Sequence, residues 1–116
     1  MIRLKDYSFL EPLVEDNKVR NSAPFNNDGF CLADKKKNPN CAYVFFMDKD
    51  SIWCAYTWTK KINKHFLKFH KEVENFLRTL KKDVFTSNNG NVFKNHIEFI
   101  NFDDGLPIYK YNLRGT

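Results

Sequence analysis

Residues 59–82 read TKKINKHFLKFHKEVENFLRTLKK. Ile62, Phe66, Phe69, Val73, Phe76, Leu77 and Leu80 recur every three to four residues. That is the period at which a helix lays one apolar stripe on a core. The pattern predicts a helix from about Thr59 to Lys82, with Ile62, Phe66, Phe69, Val73, Phe76 and Leu80 turned inward. At 100° per residue, Lys60, Lys64, Lys68, Lys71, Arg78 and Lys82 fall within about 80° of arc, away from the stripe. With Lys61 and Lys81, residues 60–82 carry eight Lys/Arg against Glu72 and Glu74, a net of +6. The remaining residues have eleven basic and twelve acidic side chains, so the net +5 of the chain resides in this one helix.

Upstream, three apolar runs predict an antiparallel meander. Phe30–Ala33 is short, Ala42–Met47 is apolar on both alternating faces, and Ile52–Trp58 is apolar and aromatic. A strand apolar on both faces needs cover on both sides. The turns between them are Lys35-Lys36-Lys37-Asn38-Pro39-Asn40 and Asp48–Ser51, short enough for neighbouring antiparallel strands. Before the meander, Met1–Leu4 predicts an edge strand and Ser8–Val14 a short helix interrupted by Pro12. Residues 15–28 are polar and turn-rich. After the long helix, Asp83–Thr86 predicts a brief strand and Ser87–Asn91 a turn. A short helix over Val92–Ile100 capped by Asn91, the turn Asp103-Asp104-Gly105 and a last strand over Ile108–Leu113 follow. The expected order is β-α-βββ-α-β-α-β. This is an α+β fold with a mixed, mostly antiparallel sheet covered by the long helix.

With 116 residues the chain is expected to form one domain, residues 1–116, large enough to fold without staples. Twelve Phe, five Tyr and two Trp supply a large apolar payload, which excludes a disordered chain. No stretch approaches the roughly 20 apolar residues of a membrane span, and MIRLKDY has no signal-peptide character, so a cytoplasmic protein with no membrane partner is expected. Cys31, Cys41 and Cys54 are odd in number, widely spaced and set in apolar runs. They are expected to be buried thiols, with no metal site.

The element order resembles the GNAT acetyltransferase fold. The likeness is closest at Asn95-His96-Ile97-Glu98-Phe99-Ile100-Asn101-Phe102, after the asparagine-containing turn at Asn88, Asn89 and Asn91. Small acetyltransferase-like proteins encoded by tailed phages look most similar, including the aromatic Trp53–Trp58 strand that runs into a lysine-rich helix. The resemblance implies a penultimate helix near residues 92–100. It also implies an acyl-CoA whose pyrophosphate rests on a glycine-bearing turn at the start of the long helix, where glycine lets the backbone N–H groups approach. The matching stretch, Thr57-Trp58-Thr59-Lys60-Lys61-Ile62-Asn63, has no glycine. The family often places a tyrosine general acid in or just after the penultimate helix, where this chain has Phe99, Ile100 and Phe102. The carboxylates of Asp48 and Asp50 stand in an ordinary polar turn. The expectation is therefore an acetyltransferase-like fold without cofactor and without catalysis.

Other chemistry is poorly provided for. His65 and His70 lie about 140° apart on the helix and do not share a metal. No nucleophile elbow or phosphate-binding loop motif is present. Tyr43, Trp53, Tyr56 and Trp58 are expected to pack the sheet rather than to wall a ligand. The basic arc of Lys60, Lys61, Lys64, Lys68, Lys71, Arg78 and Lys82 remains, with Lys35, Lys36 and Lys37 as an extension. It is a solvating face or a contact for an acidic macromolecule. The expected role is a small non-catalytic accessory or regulatory protein that binds a protein partner with an acidic surface. The alternatives are non-specific nucleic-acid binding along the helix and an acyl-CoA-dependent N-acetyltransferase.

Overall fold

Cys41–Met47, the run apolar on both faces, is the centre of the molecule, and residues 41–45 are fully buried. The structure, a computed structural model, describes residues 1–14, 29–87, 97–103 and 105–111. Its elements are β1 (Ile2–Leu4), a 3-10 helix (Ser8–Leu13), β2 (Gly29–Ala33), β3 (Cys41–Met47), β4 (Ser51–Thr59), α1 (Lys64–Leu80), β5 (Asp83–Thr86), β6 (Ile97–Asp103) and β7 (Leu106–Tyr111). The seven strands form one mixed sheet in the order β1-β2-β3-β4-β5-β7-β6. The expected meander is present: β2, β3 and β4 pair antiparallel, and β1 closes one edge against β2. β5 pairs parallel with β4, the geometry that requires a crossover, and α1 is that crossover.

Two layers cover the sheet. On one face, Phe66, Phe69, Val73 and Leu77 of α1 pack on Leu32, Tyr43, Phe45, Ile52, Val84 and Tyr111, with Phe76 and Leu80 partly buried at the margin. On the other, Leu10 and Val14 pack on Leu4, Cys31, Ala33, Ala42 and Val44. The β3–β4 ladder slips where Val44 pairs with Tyr56 and Phe45 with Cys54, leaving Ala55 as an extra residue. The slip exchanges faces along β4. Ile52 and Cys54 face α1, whereas Tyr56 and Trp58 pack with the 3-10 helix. Tyr43 and the Tyr56–Trp58 pair therefore belong to opposite faces and form no common wall. Trp53 lies against Phe85, with ring centroids 5.3 Å apart.

Three expectations are corrected. α1 begins at Lys64, not Thr59, because β4 runs on through Thr59 and Asn63 supplies the cap. It ends at Leu80, where Lys81 turns left-handed at φ 53°. Ile62 therefore precedes the helix and is 76% exposed instead of buried. Finally, residues 97–103 are a strand, β6, where a helix over Val92–Ile100 was expected; residues 88–96 lie outside the described residues. β6 pairs with β7, which is inserted between it and β5, and the order of the described elements becomes β-3-10-βββ-α-βββ. Phe99, Ile100, Phe102 and Leu106 of this hairpin are exposed. No helix among the described residues is long and apolar enough to cross a membrane.

Candidate functional site

The turn from β4 into α1 is tied down by its own backbone. Lys60 N–H donates to the Asn40 carbonyl at 2.8 Å, and Thr59 Oγ1 donates to the Lys61 carbonyl at 2.8 Å. Asn63 Oδ1 accepts the Phe66 N–H at 2.9 Å, the usual service of an N-cap asparagine to the third residue of a helix. The first turn that follows contains no acidic residue. Lys60, Lys61, Lys64, Lys68 and Lys71 are all exposed, and none of their ammonium groups makes a hydrogen bond or ion pair with a described residue.

This arrangement works against the stability of the helix. The N-terminus of a helix carries about half a positive charge, so a cation in its first turn costs about 0.3–1 kcal/mol where an acid would stabilise. Lys64 and Lys68 are also a like-charge i,i+4 pair, which costs a further few tenths. The result is a concentration of unpaired positive charge over the first half of α1. Arg78 and Lys82, expected on the same arc, are engaged elsewhere. Arg78 is half-buried, donates to Asn75 Oδ1 at 2.6 Å and lies 3.9 Å from Glu74. Lys82 Nζ donates to the Asp48 carbonyl at 3.0 Å and ties the end of α1 to the β3–β4 turn. The arc thus shortens to its first half. Lys35, Lys36 and Lys37 are exposed on the β2–β3 turn.

A second feature lies beside the lysines. His65 Nε2 is 2.8 Å from Asp34 Oδ2, and Asp34 also accepts the N–H groups of Asn40 at 2.9 Å and Cys41 at 3.3 Å. The Asp34 side chain is only 3% exposed, whereas His65 is 57% exposed. Burial alone would raise the Asp34 carboxyl, but the hydrogen bonds from His65, Asn40 and Cys41 outweigh it and hold the group below its ordinary range. Burial, reinforced by the Asp34 charge, pushes the Cys41 thiol up to about 12. His65 separates two clefts. The larger, about 370 Å³, is lined by Asn40, Thr59, Lys60, Lys61, Asn63, His65 and Phe66. The smaller includes Asp34, His65, Lys68 and Glu72. Nothing in the sequence announced this pairing, because Asp34 and His65 are 31 positions apart.

Under α1 runs a closed polar chain. Tyr43 Oη lies 2.9 Å from His70 Nδ1, His70 Nε2 lies 3.3 Å from Glu74, and Tyr111 Oη donates to Glu74 at 2.6 Å. Burial pushes the Tyr43 and Tyr111 hydroxyls upward, and the Glu74 carboxylate adds to it at Tyr111. All four side chains are partly or wholly enclosed, so the chain braces the helix on the sheet rather than facing a substrate. Phe99, Ile100 and Phe102 are exposed on β6 and have no proton to donate. Asp48 and Asp50 are exposed in the β3–β4 turn, where Asp48 Oδ1 accepts the Lys49 N–H at 2.7 Å. His96, Asn88, Asn89 and Asn91 lie outside the described residues. Comparison of the chain with protein-family models, curated proteins and solved structures gives no match.

Proposed function

We propose that this is a small non-catalytic accessory or regulatory protein that binds an acidic surface of a protein partner through the start of α1. The observation that supports it is the set of five exposed lysines, Lys60, Lys61, Lys64, Lys68 and Lys71, before and within the first half of α1, whose ammonium groups have no partner among the described residues. Arg78 and Lys82 are left out of the contact because their side chains are engaged internally. Opposite charge across an interface speeds encounter and sets register more than it adds affinity, so the complex should be salt-sensitive. Affinity purification from the native host after nuclease treatment should recover a stoichiometric partner that dissociates as salt is raised. Recovery of no partner overturns this reading. A complex that nuclease abolishes supports non-specific nucleic-acid binding instead.

An acetyltransferase-like reading has its own support. β4 and β5 are the parallel pair of the sheet, and α1 starts beyond the carboxyl end of β4, the place where open α/β sheets tend to hold ligands. The 370 Å³ cleft and Lys60, Lys61 and Lys64 lie there. The donors a pyrophosphate would use are partly consumed, however. The Phe66 N–H is capped by Asn63, the Lys60 N–H goes to Asn40, and no glycine opens the turn. We read the fold as acetyltransferase-like and the cofactor site as lost.

A further inference from the structure

Asp34 at the end of β2, Cys41 at the start of β3 and His65 in the first turn of α1 come from three elements. A carboxylate oxygen, the thiol sulfur and a ring nitrogen of the three lie within 4.8 Å of one another. We propose that Asp34, Cys41 and His65 form a site for one zinc ion or a chemically similar borderline-soft divalent cation.

The donor set is one carboxylate, one thiolate and one imidazole. Zinc binds all three types, and three protein ligands leave a fourth position for water. The supports of the site are rigid. Asp34 is held by the N–H groups of Asn40 and Cys41, and Cys41 begins the fully buried run of β3. The adjustable ligand is His65, the exposed one. Tetrahedral zinc with bonds near 2.0 Å separates its nitrogen and oxygen donors by about 3.3 Å. The imidazole therefore withdraws about half an ångström from its 2.8 Å hydrogen bond to Asp34 to admit the ion. On binding, the Cys41 S–H bond breaks, its proton leaves to solvent, and the thiolate takes the metal in its place.

The choice of metal follows from the surroundings. His65 stands between Lys64 and Lys68, and their charges oppose any cation. A hard ion held by Asp34 alone has little to offset that opposition, so magnesium and calcium are excluded from the site. A thiolate–imidazole pair offers covalent character that only the softer ions use. His65 lines both clefts and Asp34 the smaller one, so water would reach a bound ion from that side.

The test is a titration of the full chain with cobalt(II), a spectroscopic stand-in for zinc. One equivalent should bind, with a thiolate-to-cobalt charge-transfer band and the intense visible bands of tetrahedral cobalt. Zinc should displace it and excess magnesium should not. Loss of an outer-shell partner alone typically weakens a metal about 10–100-fold, so His65→Ala should weaken binding by at least about tenfold. His65 is exposed, and its removal leaves the core intact. Cys41→Ser should abolish the charge-transfer band. The proposal is overturned by absence of that band with cobalt in excess, or by binding that His65→Ala leaves unchanged. Binding without the band would place the ion on surface histidines only and would equally overturn it.

Discussion

Tyr43 of β3 and His70 of α1 meet hydroxyl to ring nitrogen at 2.9 Å, with their rings edge-on and 5.9 Å apart. This contact joins the central strand to the middle of the helix and continues through Glu74 to Tyr111 of β7. Two strands of the sheet, β3 and β7, are thereby bound to one helix face by groups that need each other's hydrogen bonds. Removing one member leaves a buried partner unsatisfied, at a cost of about 1–3 kcal/mol. Tyr111→Phe, which strips only the hydroxyl from the Glu74 contact, should lower stability by that amount in urea denaturation.

The same chain sets an alkaline limit. The Tyr43 and Tyr111 hydroxyls have folded-state values raised above their ordinary 10.0. A raised value stabilises the folded state below pH 10, and that contribution is lost as pH rises toward the folded value. Unfolding free energy should therefore fall progressively above about pH 10. Tyr111→Phe should make the fall shallower, as measured by denaturation at stepped pH.

Asp34 sets an acid limit with the opposite sign. Its carboxyl is depressed, so its contribution is present above the ordinary carboxylate range and is lost as pH drops through the folded value. Stability should fall below about pH 4, and Asp34→Asn should flatten that part of the profile. An unchanged acid limb in the variant would mean that the His65 contact and the turn hydrogen bonds carry no net energy.

The apolar stripe of α1 predicts a sharp contrast between neighbours. Phe69 is buried and Ile62 is 76% exposed. Phe69→Ala should cost about 3–5 kcal/mol, whereas Ile62→Ala should stay within about 0.5 kcal/mol. Equal effects would mean that the helix begins earlier than Lys64.

Acetyl-CoA should not bind measurably in low-salt calorimetry. The start of α1 offers charge, but the amide donors of Lys60 and Phe66 are taken and Cβ-bearing residues fill the turn. A micromolar dissociation constant would restore the catalytic reading and make Lys60 and Lys61 the first residues to replace. Millimolar binding that salt removes would not, since any basic helix end does as much.

The meander, the long helix and the strand at Asp83–Thr86 were legible because continuous apolar runs and a three-to-four-residue period are strong local signals. The helix start was misread for a physical reason. Ile62 continues the apolar period upstream, but Asn63 caps the helix and releases Ile62 to solvent. β6 was misread because its ladder slips between Phe99 and Asn101, which destroys the alternation that marks a strand. The shortening of the basic arc was not legible at all. The engagement of Arg78 with Glu74 and of Lys82 with the Asp48 carbonyl follows from tertiary placement. The convergence of Asp34, Cys41 and His65 has the same origin.

The proposed binding surface is the set of unpaired lysines in the first half of α1. It is tested most directly by replacing Lys64, Lys68 and Lys71 together with Gln, which removes charge and keeps helix propensity. Replacement of Lys35, Lys36 and Lys37 serves as the control of equal charge. The α1 variant should lose its co-purifying partner in the native host and gain about 0.3–1 kcal/mol in denaturation from relief of the helix pole. The control should keep the partner. Undiminished recovery of the partner by the α1 variant, with its fold intact by circular dichroism, would mean that these lysines are not the binding surface.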